Sequence, residues 1–111
     1  MTTRKSAARQ FLERLAGGPL TLGMALQATR EGEGMGQAEF ARRLGITRSH
    51  LCDIEKGRKP VSPVRAAEFA KILGFSAKQY VRLALQDQLQ RGGLHFQVEL
   101  HQVPRHRRGA V

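Results

Sequence analysis

The chain has 111 residues, a formal net charge of +10 and one cysteine. That length bounds one domain with one modest core, and the lone cysteine excludes an internal disulfide and fits a reducing cytoplasm. No stretch approaches the roughly 20 apolar residues of a membrane span, while the basic excess points to a polyanionic partner, or more plainly to basic tails that aid solubility.

Residues 1–8 read as disordered. They carry no apolar h-region, so they are no secretory signal, and resemble an Arg-rich transit peptide only loosely. Arg9 to Ala16 fits a short helix with Phe11, Leu12 and Leu15 on one side, broken by Gly17-Gly18-Pro19. Residues 1–19 are therefore read as an extension of the domain proper, which spans 20–91.

The first core helix is expected from about Leu22 to Glu31, capped by Thr21. A second opens at Gln37. Its Phe40, Ala41 and Leu44 lie three and four apart and so share one face. Gly45 supplies the positive φ that ends it. Thr47 caps a third helix, whose Leu51 and Ile54 turn back toward the second. Two short helices joined by a tight glycine turn form a helix-turn-helix. The outward face of the later helix carries Arg48, Ser49, Cys52, Asp53 and Lys56, a pattern suited to a DNA major groove. Pro60-Val61 ends a basic loop, Ser62 caps a fourth helix with Pro63 at its first position, and Gly74 stops it. Ser76 and Gln79 make a capping box for a fifth helix that reaches about Gln90. After Gly92-Gly93, Leu94, Phe96, Val98 and Leu100 alternate with His95, Gln97, Glu99 and His101, which predicts a strand with one apolar face. Pro104 ends it, and a basic tail with Arg105, Arg107 and Arg108 completes residues 92–111.

The motifs resemble the lambda-repressor-like, or Xre, family of helix-turn-helix proteins. Leu22-Gly23, Leu26 and Arg30 sit where that family has Leu-Gly, Leu and Arg in its first helix. Gly34-Met35-Gly36-Gln37 is similar to its Gly-Leu-Ser-Gln, and Ile54-Glu55-Lys56-Gly57-Arg58 to its Ile-Glu-x-Gly-Arg. Ser62-Pro63, Phe69-Ala70 and Leu73-Gly74 resemble its fourth helix. The likeness covers roughly Leu20 to Leu89, with motifs in order and at matching spacing. Gly36 and Cys52 replace usual serines and Ala66 a common leucine; the first weakens the cap on the second helix. The expected fold is all-α: a five-helix domain with a C-terminal β-strand for dimerisation and flexible ends.

Double-stranded DNA is the expected partner. Arg48 can pair with guanine O6 and N7, and Asp53 can accept from cytosine N4; Ser49 and Cys52 discriminate less. The plainer readings are a phosphate contact for Arg48 and a solvated surface acid for Asp53. Lys56, Arg58 and Lys59 are assigned to phosphates. Gln37 joins them by resemblance, at a helix N-terminus that aims amides at an anion. Resemblance also implies that Arg30 and Glu55 pair beneath the recognition helix, against the alternative of two independent surface charges.

No zinc-ligand spacing is present. His50 and Cys52 point apart on a helix, and His95 and His101 stand six residues apart, so no metal or other cofactor is expected. Cys52 reads as a small polar-tolerant side chain rather than a redox switch. Gly32-Glu33-Gly34-Met35-Gly36 lacks a preceding strand and is a loop, not a phosphate cradle. No nucleophile, base and orienting group can be assembled, so an enzyme is not expected, nor is a small-molecule ligand. The fifth helix has one stripe, Tyr80, Leu83 and Ala84, for the core and another, Val81, Leu85 and Leu89, for a second partner. With Leu94, Phe96, Val98 and Leu100, that stripe is the expected homodimer interface. The functional reading is an autorepressor on a palindromic operator. The alternatives are an antitoxin that also holds a toxin protein, a restriction-system controller or phage regulator, and a protein-binding coactivator.

Overall fold

The computed structural model describes residues 20–105. The helix expected at Arg9–Ala16, the disorder expected of residues 1–8, and Arg107 and Arg108 of the basic tail lie outside them. Five helices follow in order: α1 Leu22–Gly32, α2 Gln37–Leu44, α3 Arg48–Glu55, α4 Pro63–Leu73 and α5 Ala77–Arg91.

Local chemistry sets the helix ends. The hydroxyls of Thr21, Thr47, Ser62 and Ser76 accept from Met24, His50, Arg65 and Gln79 backbone amides at 3.0–3.2 Å. Each satisfies one of the amides a helix start leaves unpaired. At α2, Gly36 offers no side-chain cap. Only half of the capping box on α5 forms, because the Gln79 side-chain oxygen accepts from Arg82 Nε at 3.0 Å. Gly45 closes α2 at φ 78°, where any larger residue would be strained.

The core gathers Leu26 from α1, Phe40 and Leu44 from α2, Leu51 and Ile54 from α3, Phe69 from α4 and Leu83 from α5. Phe40, Phe69, Leu26 and Leu51 are the largest fully buried side chains. Burial of each such group contributes about 1.5–3 kcal/mol. α4 and α5 pack along each other, while α2 and α3 pack as the two arms of the turn. α1 crosses α3 so closely that a Cβ built on Gly23 would land on the Ile54 carbonyl oxygen.

The C-terminal strand is corrected. Among the described residues no strand occurs, and Leu94 to Arg105 carries no regular secondary structure. Alternation decides which way side chains face, but a strand also needs a backbone ladder, and among the described residues this segment has none. A side chain stands in for part of it: Gln86 of α5 donates to the Phe96 carbonyl and accepts from the Val98 amide, both at 2.8 Å. Val98 and Leu100 are half-buried, while Leu94 and Phe96 remain 48% and 66% exposed. The apolar face is thus only partly covered. On α5, Tyr80, Leu83 and Ala84 are buried and Val81, Leu85 and Leu89 are half-buried, so the second stripe is distinct from the first.

Candidate nucleic-acid interface

The site is built on α3 and the turn after it. Leu51 and Ile54 anchor α3 in the core, which leaves Arg48 and Ser49 exposed at its start and Cys52 and Asp53 half-buried along one side. Lys56, Arg58 and Lys59 are exposed at its end. The structure therefore gathers four cations, Arg48, Lys56, Arg58 and Lys59, around one short helix.

Asp53 is occupied. One carboxylate oxygen accepts from Arg58 Nε at 2.8 Å, and the other stands 3.8 Å from Lys59 Nζ. Hydrogen bonding to Asp53 holds the Arg58 guanidinium above its ordinary pKa. A cytosine amino group at Asp53 would compete with both cations. Arg58 also reaches Cys52 Sγ at 3.8 Å. Asp53 thus serves, in the free protein, to orient two basic side chains. His50 is half-buried on α3, whereas His95 and His101 are exposed on the C-terminal segment.

Beneath α3, Arg30 and Glu55 meet in a two-pronged pair, Nε to Oε2 at 2.8 Å and Nη2 to Oε1 at 3.0 Å. The Glu55 side chain is 2% exposed and that of Arg30 12%. The hydrogen bonds that Arg30 donates to Glu55 raise the Arg30 pKa, against the opposing effect of burial. Arg30 spends its remaining nitrogen on the Met35 carbonyl at 3.1 Å, which ties the loop before α2 to the same point. Gln37 is drawn in as well. Its Nε2 donates to Glu55 Oε1 at 3.1 Å, so the side chain assigned to phosphate is held inside this network. The α2 N-terminus remains beside α3, with Gly36 as its cap residue and no hydroxyl in the way of its amides. A further link escaped sequence reasoning: Arg91 of α5 donates to the Gly57 carbonyl at 3.0 Å. The two residues are far apart in the chain, and no motif signals such a contact.

These features define a helix presented on a fixed platform, ringed by cations. A family model described as a helix-turn-helix domain matches residues 21–83. The match covers more than half of the chain, and the chain belongs to this helix-turn-helix family. Membership supports DNA as its partner and a DNA-binding regulator as its class. No curated protein and no solved structure matches the chain. Among the described residues, no helix is long and apolar enough to cross a membrane.

Proposed function

We propose that the protein is a sequence-specific transcriptional regulator of the lambda-repressor-like kind. It binds a palindromic operator in double-stranded DNA as a homodimer and represses its own gene, with no catalytic step. The observation that carries this reading is the cation-ringed α3, locked to α1 by the Arg30–Glu55 pair with its outer face open. Arg48 reads a base edge from the start of α3, with Ser49 beside it. Lys56, Arg58 and Lys59 neutralise phosphates and so fix register without choosing sequence. Arg30 and Glu55 position the helix and do not touch DNA.

The two roles separate experimentally. Arg48→Ala weakens the best site recovered by in vitro selection by about 1–3 kcal/mol and relaxes one base position. Lys59→Ala weakens that site and random DNA alike and lowers the salt slope by about one unit. Competition binding at several salt concentrations measures both. Equal loss on all sequences for Arg48→Ala would remove its base-reading role.

In the dimer, the segment after Gly93 pairs with its mate and covers the Val81, Leu85 and Leu89 stripe. Gln86 engages only one carbonyl and one amide of the segment, and Phe96 stands 66% exposed, which supports a partner from outside the chain. The two α3 helices then lie roughly 34–36 Å apart, one turn of DNA. The same exposed segment favours a second reading, an antitoxin whose segment adds to a toxin's sheet. Truncation after Gly93 decides between them. The dimer reading predicts a monomer by light scattering and loss of full-operator binding. A truncated protein that stays dimeric and binds its full operator would favour the toxin-binding account.

A further inference from the structure

The turn after the recognition helix is poorly backed. A cleft of about 260 Å³ lies between it and α5, with Gly57, Lys59 and Pro60 on one wall and Ala84, Asp87 and Arg91 on the other. The turn holds to α3 through its own backbone: the Arg58 and Lys59 amides donate to the Asp53 carbonyl at 2.8 and 3.2 Å. Its Gly57 carbonyl faces α5 instead. Arg91 reaches across to that carbonyl with Nη2 at 3.0 Å, and Asp87, one helical turn earlier, grips Arg91 Nε at 2.6 Å. A guanidinium fixed at two points by a carboxylate and a carbonyl is a short, charge-assisted strut. It joins the reading helix to α5, from whose end the proposed dimer segment departs.

We propose that Asp87 and Arg91 are positioning residues for DNA recognition, holding the Gly57–Lys59 turn so that Arg58 and Lys59 meet phosphates while α3 meets bases. This rests on the DNA-binding reading given above. The strut acts through backbone placement, so its two members work in the same direction although their charges are opposite. Simple electrostatics demands the reverse: loss of Arg91 weakens attraction to DNA and loss of the Asp87 charge strengthens it.

The test compares full-length wild type with Arg91→Ala, Arg91→Lys and Asp87→Asn. Affinity is measured for the best selected site and for random duplex at several salt concentrations. The expected result is a fall of about fivefold or more in the ratio of the two affinities for both Arg91→Ala and Asp87→Asn, with partial recovery in Arg91→Lys. Amide hydrogen exchange provides a readout independent of DNA. Arg58 and Lys59 amides should exchange faster in Arg91→Ala, while those of α1 stay protected. Unchanged ratios in both variants, or parallel shifts on the two DNAs that follow charge alone, would overturn the proposal. So would unchanged protection at Arg58 and Lys59. If wild type selects no sequence at all, the underlying DNA reading fails first; faster exchange in Arg91→Ala would then mark a clasp that only stabilises, and the proposal falls with that reading.

Discussion

Glu55→Ala should lower the melting temperature sharply and weaken DNA binding, although it removes a negative charge from a protein that binds a polyanion. The carboxylate is almost wholly buried and receives three hydrogen bonds, two from Arg30 and one from Gln37. Its loss strands a guanidinium that is 12% exposed and an amide beside it. Breaking a buried pair from one side costs about 3–5 kcal/mol. In a domain of this size that corresponds to a fall of at least about 12 °C. The pair itself need not stabilise the fold relative to an apolar replacement. What it supplies is location, because it fixes the C-terminal end of α3 against α1. Thermal melts alongside binding isotherms test this. Tighter DNA binding with unchanged stability would contradict a positioning role.

The second large effect is expected at Gly23. Gly→Ala within a helix ordinarily stabilises by about 1 kcal/mol, since alanine has the better propensity. At Gly23 the new methyl meets the Ile54 carbonyl oxygen and presses toward the Glu55 Cα, both backbone atoms that cannot swing aside. Overpacking of this kind costs about 1–3 kcal/mol or more, which exceeds the propensity gain. The strain falls on α3, so Gly23→Ala should lose both stability and DNA affinity. Gly32, at the end of the same helix, provides the control. A Cβ there meets nothing within 4 Å, and Gly32→Ala should be neutral or stabilising. Chemical denaturation of both variants checks the contrast. Equal effects at the two sites would mean that α1 and α3 can separate without penalty.

Much of the platform was legible because its signals are local. Gly45, Thr47 and the three- and four-residue apolar spacing specify a helix, a turn and a second helix within a few residues. The Ser62-Pro63 and Ser76 starts follow from hydroxyl chemistry in the same way. What the structure does not bear out is the strand, which required a paired backbone. The alternation from Leu94 to Leu100 encodes faces correctly in part, since Val98 and Leu100 are half-buried. It says nothing of where a backbone ladder comes from; among the described residues the Gln86 side-chain amide meets one carbonyl and one amide of the segment. Side-chain roles near α3 were hidden for a related reason. Gln37 and Asp53 are polar residues expected to face DNA, yet both are engaged by neighbours that sequence order does not identify. The Arg91 contact to Gly57 joins parts of the chain that only the packing of α5 brings together. The Gly23 crossing was visible as a motif without its cause, the near-contact of two backbones.

On the proposed function, α3 reads DNA sequence from a fixed platform. In vitro selection from a random duplex library, followed by affinity measurement over a range of salt, tests it most directly. The account predicts recovery of a two-fold symmetric site with half-sites about 10 base pairs apart. It also predicts an affinity for that site at least about 10³-fold above random DNA, lost on Arg48→Ala while non-specific binding persists. Enrichment of no sequence, or binding to every duplex with one affinity and one salt dependence, would contradict it.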